Sequence, residues 1–118
     1  MMRRGRITHN GAVIVEKAER ASSLVDRLRG LLGRSTLGPN SALLIERCGS
    51  VHTVGMRFAI DLVFVDREWH VVRILQQVRP GRLMVFGGWR AARVLESEAG
   101  CLDLREMRVG DRLLWNER

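Results

Sequence analysis

Short apolar runs, interrupted at every second position or by turn-forming residues, dominate the chain and predict strands more often than helices. Ala12–Lys17 opens on the β-branched Val13, Ile14 and Val15 and predicts a first strand. Ala42–Ile45 is uniformly apolar, as expected of a strand covered on both faces. The strongest pattern is Phe58–Val65, which puts Phe58, Ile60, Leu62 and Phe64 on one face and Ala59, Asp61, Val63 and Val65 on the other. A turn at Asp66–Trp69 then returns the chain antiparallel into His70–Gln76. Ala91–Leu95 predicts another strand with Glu96 at its exit. Arg112–Trp115 predicts the last, after a turn at Val109-Gly110-Asp111.

One segment changes period. In Ser23–Leu32 the leucines at 24, 28, 31 and 32 fall on a single helical stripe, Ser23 and Asp26 resemble a capping box, and Gly33 supplies a left-handed stop. Gly100–Met107 predicts a helical turn. Arg79–Gly88, with Pro80-Gly81 and Gly87-Gly88, is the longest irregular stretch and predicts a mobile loop. The pattern as a whole predicts an α+β, mostly β domain: an antiparallel β-sandwich or partly open barrel carrying one amphipathic helix.

At 118 residues the chain suits one domain, placed at 12–115, with residues 1–11 expected as a flexible N-terminal segment. A hydrophobic content of 46% excludes a disordered chain, and no apolar run approaches the roughly 20 residues that span a bilayer. Arg3, Arg4 and Arg6 precede Ile7-Thr8-His9-Asn10-Gly11 and not an apolar secretory stretch, so the expectation is a cytoplasmic protein with Cys48 and Cys101 reduced.

The net charge is +7, and Lys17 is the only lysine among 20 basic residues. A basic surface attracts anions in general, nucleic acid included. The arginines are nonetheless spread along the chain and often adjoin acids, as in Asp26/Arg27, Glu46/Arg47 and Asp111/Arg112. Three Phe, three Trp and no Tyr offer few stacking surfaces for a single strand. Nucleic acid is therefore a secondary alternative as partner, no membrane partner is expected, and the expected state is a monomer.

Candidate chemistry is sparse. Cys48, His52 and Met56 recur every four residues, a donor set suited to a soft metal. Gly49 and Gly55 argue against the helix that would align them, and no Cys-x-x-Cys pair supports zinc. Cys48 with His52 is also the nearest approach to a nucleophile and its base, but no hydrolase signature surrounds it. Asp61 interrupts an apolar strand, so it needs an arginine or several donors if buried; Arg57, Arg93 and His52 are the nearest by pattern. Glu96 and Glu98 straddle Ser97, sharing a face at a strand end. The spacings of phosphate-binding glycine loops are absent.

Four short motifs in order resemble a family known as domain of unknown function 192. They are Arg29-Gly30-Leu31-Leu32-Gly33-Arg34, Phe58-x-Ile60-Asp61-Leu62-Val63-Phe64-Val65-Asp66, Val94-Leu95-Glu96-x-x-Ala99-Gly100 and Val109-Gly110-Asp111-Arg112, and the likeness runs from about Val13 to Leu114. It implies a β-rich domain without an established activity. Where many members carry Phe-Trp-Met-x-Asn-Thr, this chain has Val51-His52-Thr53-Val54-Gly55-Met56, so contacts made by that Trp or Asn do not transfer. Trp69 stands in a turn where the family usually has Gly.

The function expected from these residues is a non-enzymatic binding or accessory domain, without cofactor or metal. A cleft near His52, Arg57, Asp61, Glu96 and Cys48 would take a small polar or anionic ligand or a partner protein segment. A small enzyme using Cys48 and His52, and non-specific nucleic-acid association through the basic surface, are the alternatives.

Overall fold

Nine strands make up the regular structure of the described residues. The computed structural model describes residues 3–21 and 38–118. The strands are β1 (Arg3–His9), β2 (Ala12–Ala21), β3 (Ser41–Glu46), β4 (Ser50–Val51), β5 (Ile60–Val65), β6 (Val71–Val78), β7 (Val85–Phe86), β8 (Arg93–Glu98) and β9 (Leu113–Glu117). Seven form one sheet in the order β6-β5-β8-β3-β2-β1-β9, while β4 and β7 make a separate two-stranded ladder. The helix expected at Ser23–Leu32 lies outside the described residues, and none of the described residues is helical.

Burial explains which runs became central. β3, β5 and β8 are covered on both faces; β3 and β5 are apolar along most of their length, while β8 contributes only Val94 and Leu95 and buries Glu96 and Ser97 beside them. The sheet was expected to be antiparallel throughout. It is instead mixed, because β2 and β3 run parallel from Lys17↔Ser41 to Ala21↔Ile45. Parallel neighbours cannot be joined by a hairpin, and the chain between Ala21 and Ser41 is long enough for the crossover they require.

The sheet curls into a half-barrel whose two edges meet where β6 and β9 begin. His70 and Arg112 form a bridge there. The Val71 N–H donates to the Asp111 carbonyl at 2.7 Å, Gly110 N–H to the Val71 carbonyl at 2.7 Å, and Leu113 N–H to the Trp69 carbonyl at 3.0 Å. Strand alternation then sorts the apolar side chains onto two faces. Ile7, Val15, Leu44, Val63, Leu95 and Leu113 fill the concave side, closed by Leu102, Leu104 and Met107. Leu43, Ile60, Leu62, Phe64 and Val94 occupy the convex side beneath Val51, Met56, Phe58 and Val85.

Several boundaries differ from expectation for physical reasons. The N-terminal residues, expected as a flexible segment, form β1 between β2 and β9 and bury Ile7 and His9. Asn10 and Gly11, with φ of 52° and 79°, connect β1 to β2 as a two-residue hairpin turn in which both residues are left-handed. Gly100–Met107, expected as a helical turn, is a succession of tight turns, because Leu102, Leu104 and Met107 must all reach the core. Glu96 was expected at a strand exit. It sits inside β8, cross-strand from Leu43 on one side and Leu62 on the other.

Candidate functional site

The open end of the half-barrel, where β3 and β5 finish and β8 starts, holds a cleft of about 910 Å³. Its walls come from Glu46–Gly49, Asp66–Glu68 and Trp89–Arg93. Of these, Glu46 and Arg93 belong to a stack of planar groups whose other members do not line the cleft. Arg20 leaves β2 between the rings of Trp69 and Trp115, its guanidinium carbon 5.3 Å from each centroid. Arg93 lies over Trp69 at 4.8 Å. Both arginines converge on Glu46 Oε1, Arg93 through Nε at 2.6 Å and Arg20 through Nη2 at 3.2 Å. Arg93 Nη1 also donates to the carbonyls of Asp66 at 3.2 Å and Arg67 at 3.1 Å, fixing the β5–β6 turn as the opposite lip. Planar, delocalised guanidinium groups suit such stacking far better than lysine would.

The turn itself is shaped by Asp66. Its Oδ1 accepts from the backbone N–H of Glu68 at 3.0 Å and of His70 at 2.8 Å. Trp69 adopts φ of 70°, the left-handed conformation that explains why Gly is usual at this place in the resembled family. Asp66, Glu68 and His70 are the only described group of three metal-capable side chains, with one donor atom each within 4.8 Å of the others. The Asp66 oxygen is already committed to the turn.

Charge around the cleft is therefore unevenly spent. Glu46 is answered by Arg20 and Arg93, and Asp66 by backbone amides. Arg67 and Arg90 stand exposed at the lips. Beside them Trp89 is 95% exposed, its ring in an edge-to-face arrangement with that of Phe86 at a centroid separation of 5.2 Å.

The five residues expected to share a cleft are dispersed. Cys48 lines the one described here, half-buried, with its thiol donating to the Ser50 carbonyl at 3.0 Å. His52 and Arg57 are exposed on the segment that follows β4. Met56, the third member of the Cys-His-Met pattern, packs against the convex-face core. Asp61 is buried and its carboxylate is occupied structurally. Oδ1 accepts from Gln77 N–H at 2.8 Å and Oδ2 from Gly100 N–H at 3.0 Å. Gln77, at φ of 56°, belongs to a bulge: Ile60 faces Val78 while Leu62 faces Leu75, leaving one extra residue on β6.

Glu96 points to the opposite face from Asp61, since Asp61 pairs with Ser97 and Leu62 with Glu96. Only 6% exposed and surrounded by Leu43, Leu62 and Val94, its carboxyl is pushed by burial up to about 7. Cys101 is a free thiol raised by burial, and further by Glu98 and Asp61.

Sequence reasoning missed the arginine–tryptophan stack, Trp89 and the His9–Asp111 pair, in which the His9 ring nitrogen lies 2.8 Å from Asp111 Oδ2. The exposed tryptophan carried a signal: Gly87-Gly88-Trp89-Arg90 sets a large aromatic between glycines and an arginine, where no strand pattern buries it.

Compared with known proteins, residues 5–115 match the family model DUF192, described as uncharacterized ACR. No curated protein matches the chain. Among solved structures, it is similar to a protein of unknown function from Novosphingobium aromaticivorans DSM 12444. That match has a TM-score of 0.80 at 19% identity, over 97% of this chain and 85% of the other. It is also similar to a Sinorhizobium meliloti 1021 protein provisionally described as a transcription regulator, with a TM-score of 0.79 at 21% identity over 98% and 94% of the two chains. At these identities the likeness is one of fold.

Proposed function

The chain belongs to the uncharacterised DUF192 family, and on that footing we propose that it is a non-enzymatic binding domain taking a small anionic ligand in the cleft at the open end of the half-barrel. The observation that carries this reading is Trp89, 95% exposed beside Arg90 at the mouth of the cleft. A tryptophan in water is costly unless its face is used, and Arg67 and Arg90 supply charge on either lip. Arg93, which lines the cleft, is held by the Trp69 ring and by Glu46, so this part of the site is pre-formed and loses little entropy on binding. A ligand carrying a carboxylate or phosphate beside a planar or apolar group meets both features. Of the residues expected from sequence, Cys48 contributes to this site.

The test is a two-dimensional amide spectrum titrated separately with nucleoside monophosphates, sugar phosphates and aromatic carboxylates. Saturable shifts at Arg67 and Trp89–Ala92, abolished in Arg67→Ala/Arg90→Ala, support the reading. Shifts confined to other faces, or none with any of the three probes, overturn it.

A further inference from the structure

Residues 47–60 and 69–95 carry no carboxylate. The fold lays them side by side. β4 pairs with β7, matching Ser50 with Phe86 and Val51 with Val85. Thr53 then binds the second stretch at four points. Its N–H donates to the Arg82 carbonyl at 2.8 Å and its carbonyl accepts from Gly81 N–H at 2.9 Å. Its hydroxyl donates to the Arg79 carbonyl at 2.7 Å and accepts from Arg82 N–H at 2.8 Å. Thr53 is wholly buried while its neighbours face water. The expected mobile loop at Arg79–Gly88 is thus fastened from beneath.

What this fastening presents is apolar. Leu83 is 86% exposed, Met84 is 65% exposed, and Val54 stands exposed beside Thr53. Arg57, Arg79 and Arg82 are exposed in the same segments. An exposed Leu-Met tip, in segments that carry three exposed arginines and no acid, is complementary to a surface that is apolar within and negative at its boundary.

We propose that the Leu83–Met84 tip docks on an anionic lipid surface, the two side chains entering the headgroup boundary while Arg57, Arg79 and Arg82 meet lipid phosphates. The inference is independent of the cleft. It revises the expectation of no membrane partner, which rested on the lack of a spanning segment; no described helix is long and apolar enough to cross a membrane, and peripheral docking needs none. Charge favours this occupant over a second copy of the chain, because two such arginine-rich patches facing each other repel. Shape favours it over a peptide, since the apolar side chains stand at the tip of a turn and a peptide helix needs a groove.

The experiment is co-sedimentation of the chain with phosphatidylcholine vesicles, with and without about one-third phosphatidylserine, at low and physiological salt. Binding is expected only to the anionic vesicles and falls as salt rises. Leu83→Ser/Met84→Ser weakens it about tenfold, and Arg79→Ala/Arg82→Ala about thirtyfold, from the usual contribution of one apolar or basic side chain at a membrane surface. Both pairs are exposed, so melting temperature stays unchanged and a folding defect is separable. The proposal is overturned by absence of vesicle binding at low salt, by equal binding to neutral vesicles, or by Leu83→Ser/Met84→Ser binding as the parent does. Two further results overturn it if vesicles fail: concentration-dependent dimerisation that Leu83→Ser/Met84→Ser abolishes, or saturable binding of a leucine-bearing acidic peptide at the same tip.

Discussion

Arg93 stacks its guanidinium 4.8 Å above the centre of the Trp69 ring while donating to Glu46 at 2.6 Å. One side chain thereby joins β8, the end of β3 and the β5–β6 turn. Arg93→Lys keeps the charge but loses the planar contact and the simultaneous donation to two turn carbonyls. A loss of about 2 kcal/mol is expected in urea unfolding, moderated because Arg20 still answers Glu46. A loss below about 0.5 kcal/mol in that experiment shows that the stack is ornamental to stability.

The carboxylate of Asp61 ties the β6 bulge to the turn after β8, accepting one N–H from each. Asp61→Asn leaves a single acceptor and turns an amide NH₂ toward one backbone donor. Buried donors left unpaired cost about 1–3 kcal/mol each, so a destabilisation in that range is expected. Hydrogen exchange at Gln77 and Gly100 accelerates ahead of the rest of the sheet. Unchanged exchange at both amides contradicts the assignment.

Gly87 lies against the face of Phe64, and a Cβ there would run into the ring. Phe64 is fully buried on the convex face, so it has little room to yield. Gly87→Ala is expected to cost about 1–3 kcal/mol by overpacking and to displace the adjoining Trp89–Arg90 lip. A parallel measurement on Gly88→Ala separates the causes. Nothing crowds Gly88, and its φ of 110° makes that substitution a purely backbone cost.

The strands were legible because their apolar runs obey simple periods, and the central Phe58–Val65 pattern predicted the face carrying Ile60, Leu62 and Phe64 correctly. β1 was less visible because Arg3, Arg4 and Arg6 mask a strand that buries alternate positions at Gly5, Ile7 and His9. Asn10-Gly11 was the overlooked clue, since that dipeptide favours the left-handed hairpin turn observed. The candidate residues dispersed for a geometric reason. Asp61 and Glu96 both interrupt apolar strands, but their register places them on opposite faces of one sheet. The stack that holds Arg93 at the cleft was hidden because Arg20, Glu46, Trp69 and Arg93 are far apart in sequence and meet only through strand order.

His9 and Asp111 pin β1 to the seam that closes the half-barrel. The hydrogen bond from His9, followed by that from Arg108 N–H, holds the Asp111 carboxyl below its ordinary 3.8. A depressed carboxyl stabilises the fold above its ordinary value, and that contribution is lost as pH falls through the lower folded value. Acid unfolding of Asp111→Asn should therefore be shallower below about pH 4 than that of the parent, from a lower starting stability at neutral pH. Identical acid limbs for the two proteins would exclude the linkage.

Glu96 makes the opposite prediction. Its carboxyl is raised by burial from 4.5 to about 7, so the folded state holds a proton that the unfolded state has released. Folding is therefore least penalised below the ordinary value. Stability declines as pH rises from about 4.5 to about 7, and the full penalty stands above that. The penalty is on the order of 3 kcal/mol, from the size of the shift. Glu96→Gln preserves shape and polarity without the charge, so it should match the parent near pH 4 and exceed its stability at pH 8. Urea midpoints at the two pH values decide the matter. A parent curve that is flat or rising over this interval, with no gain from Glu96→Gln at pH 8, would mean that the carboxylate finds water or a cation on the convex face when ionised.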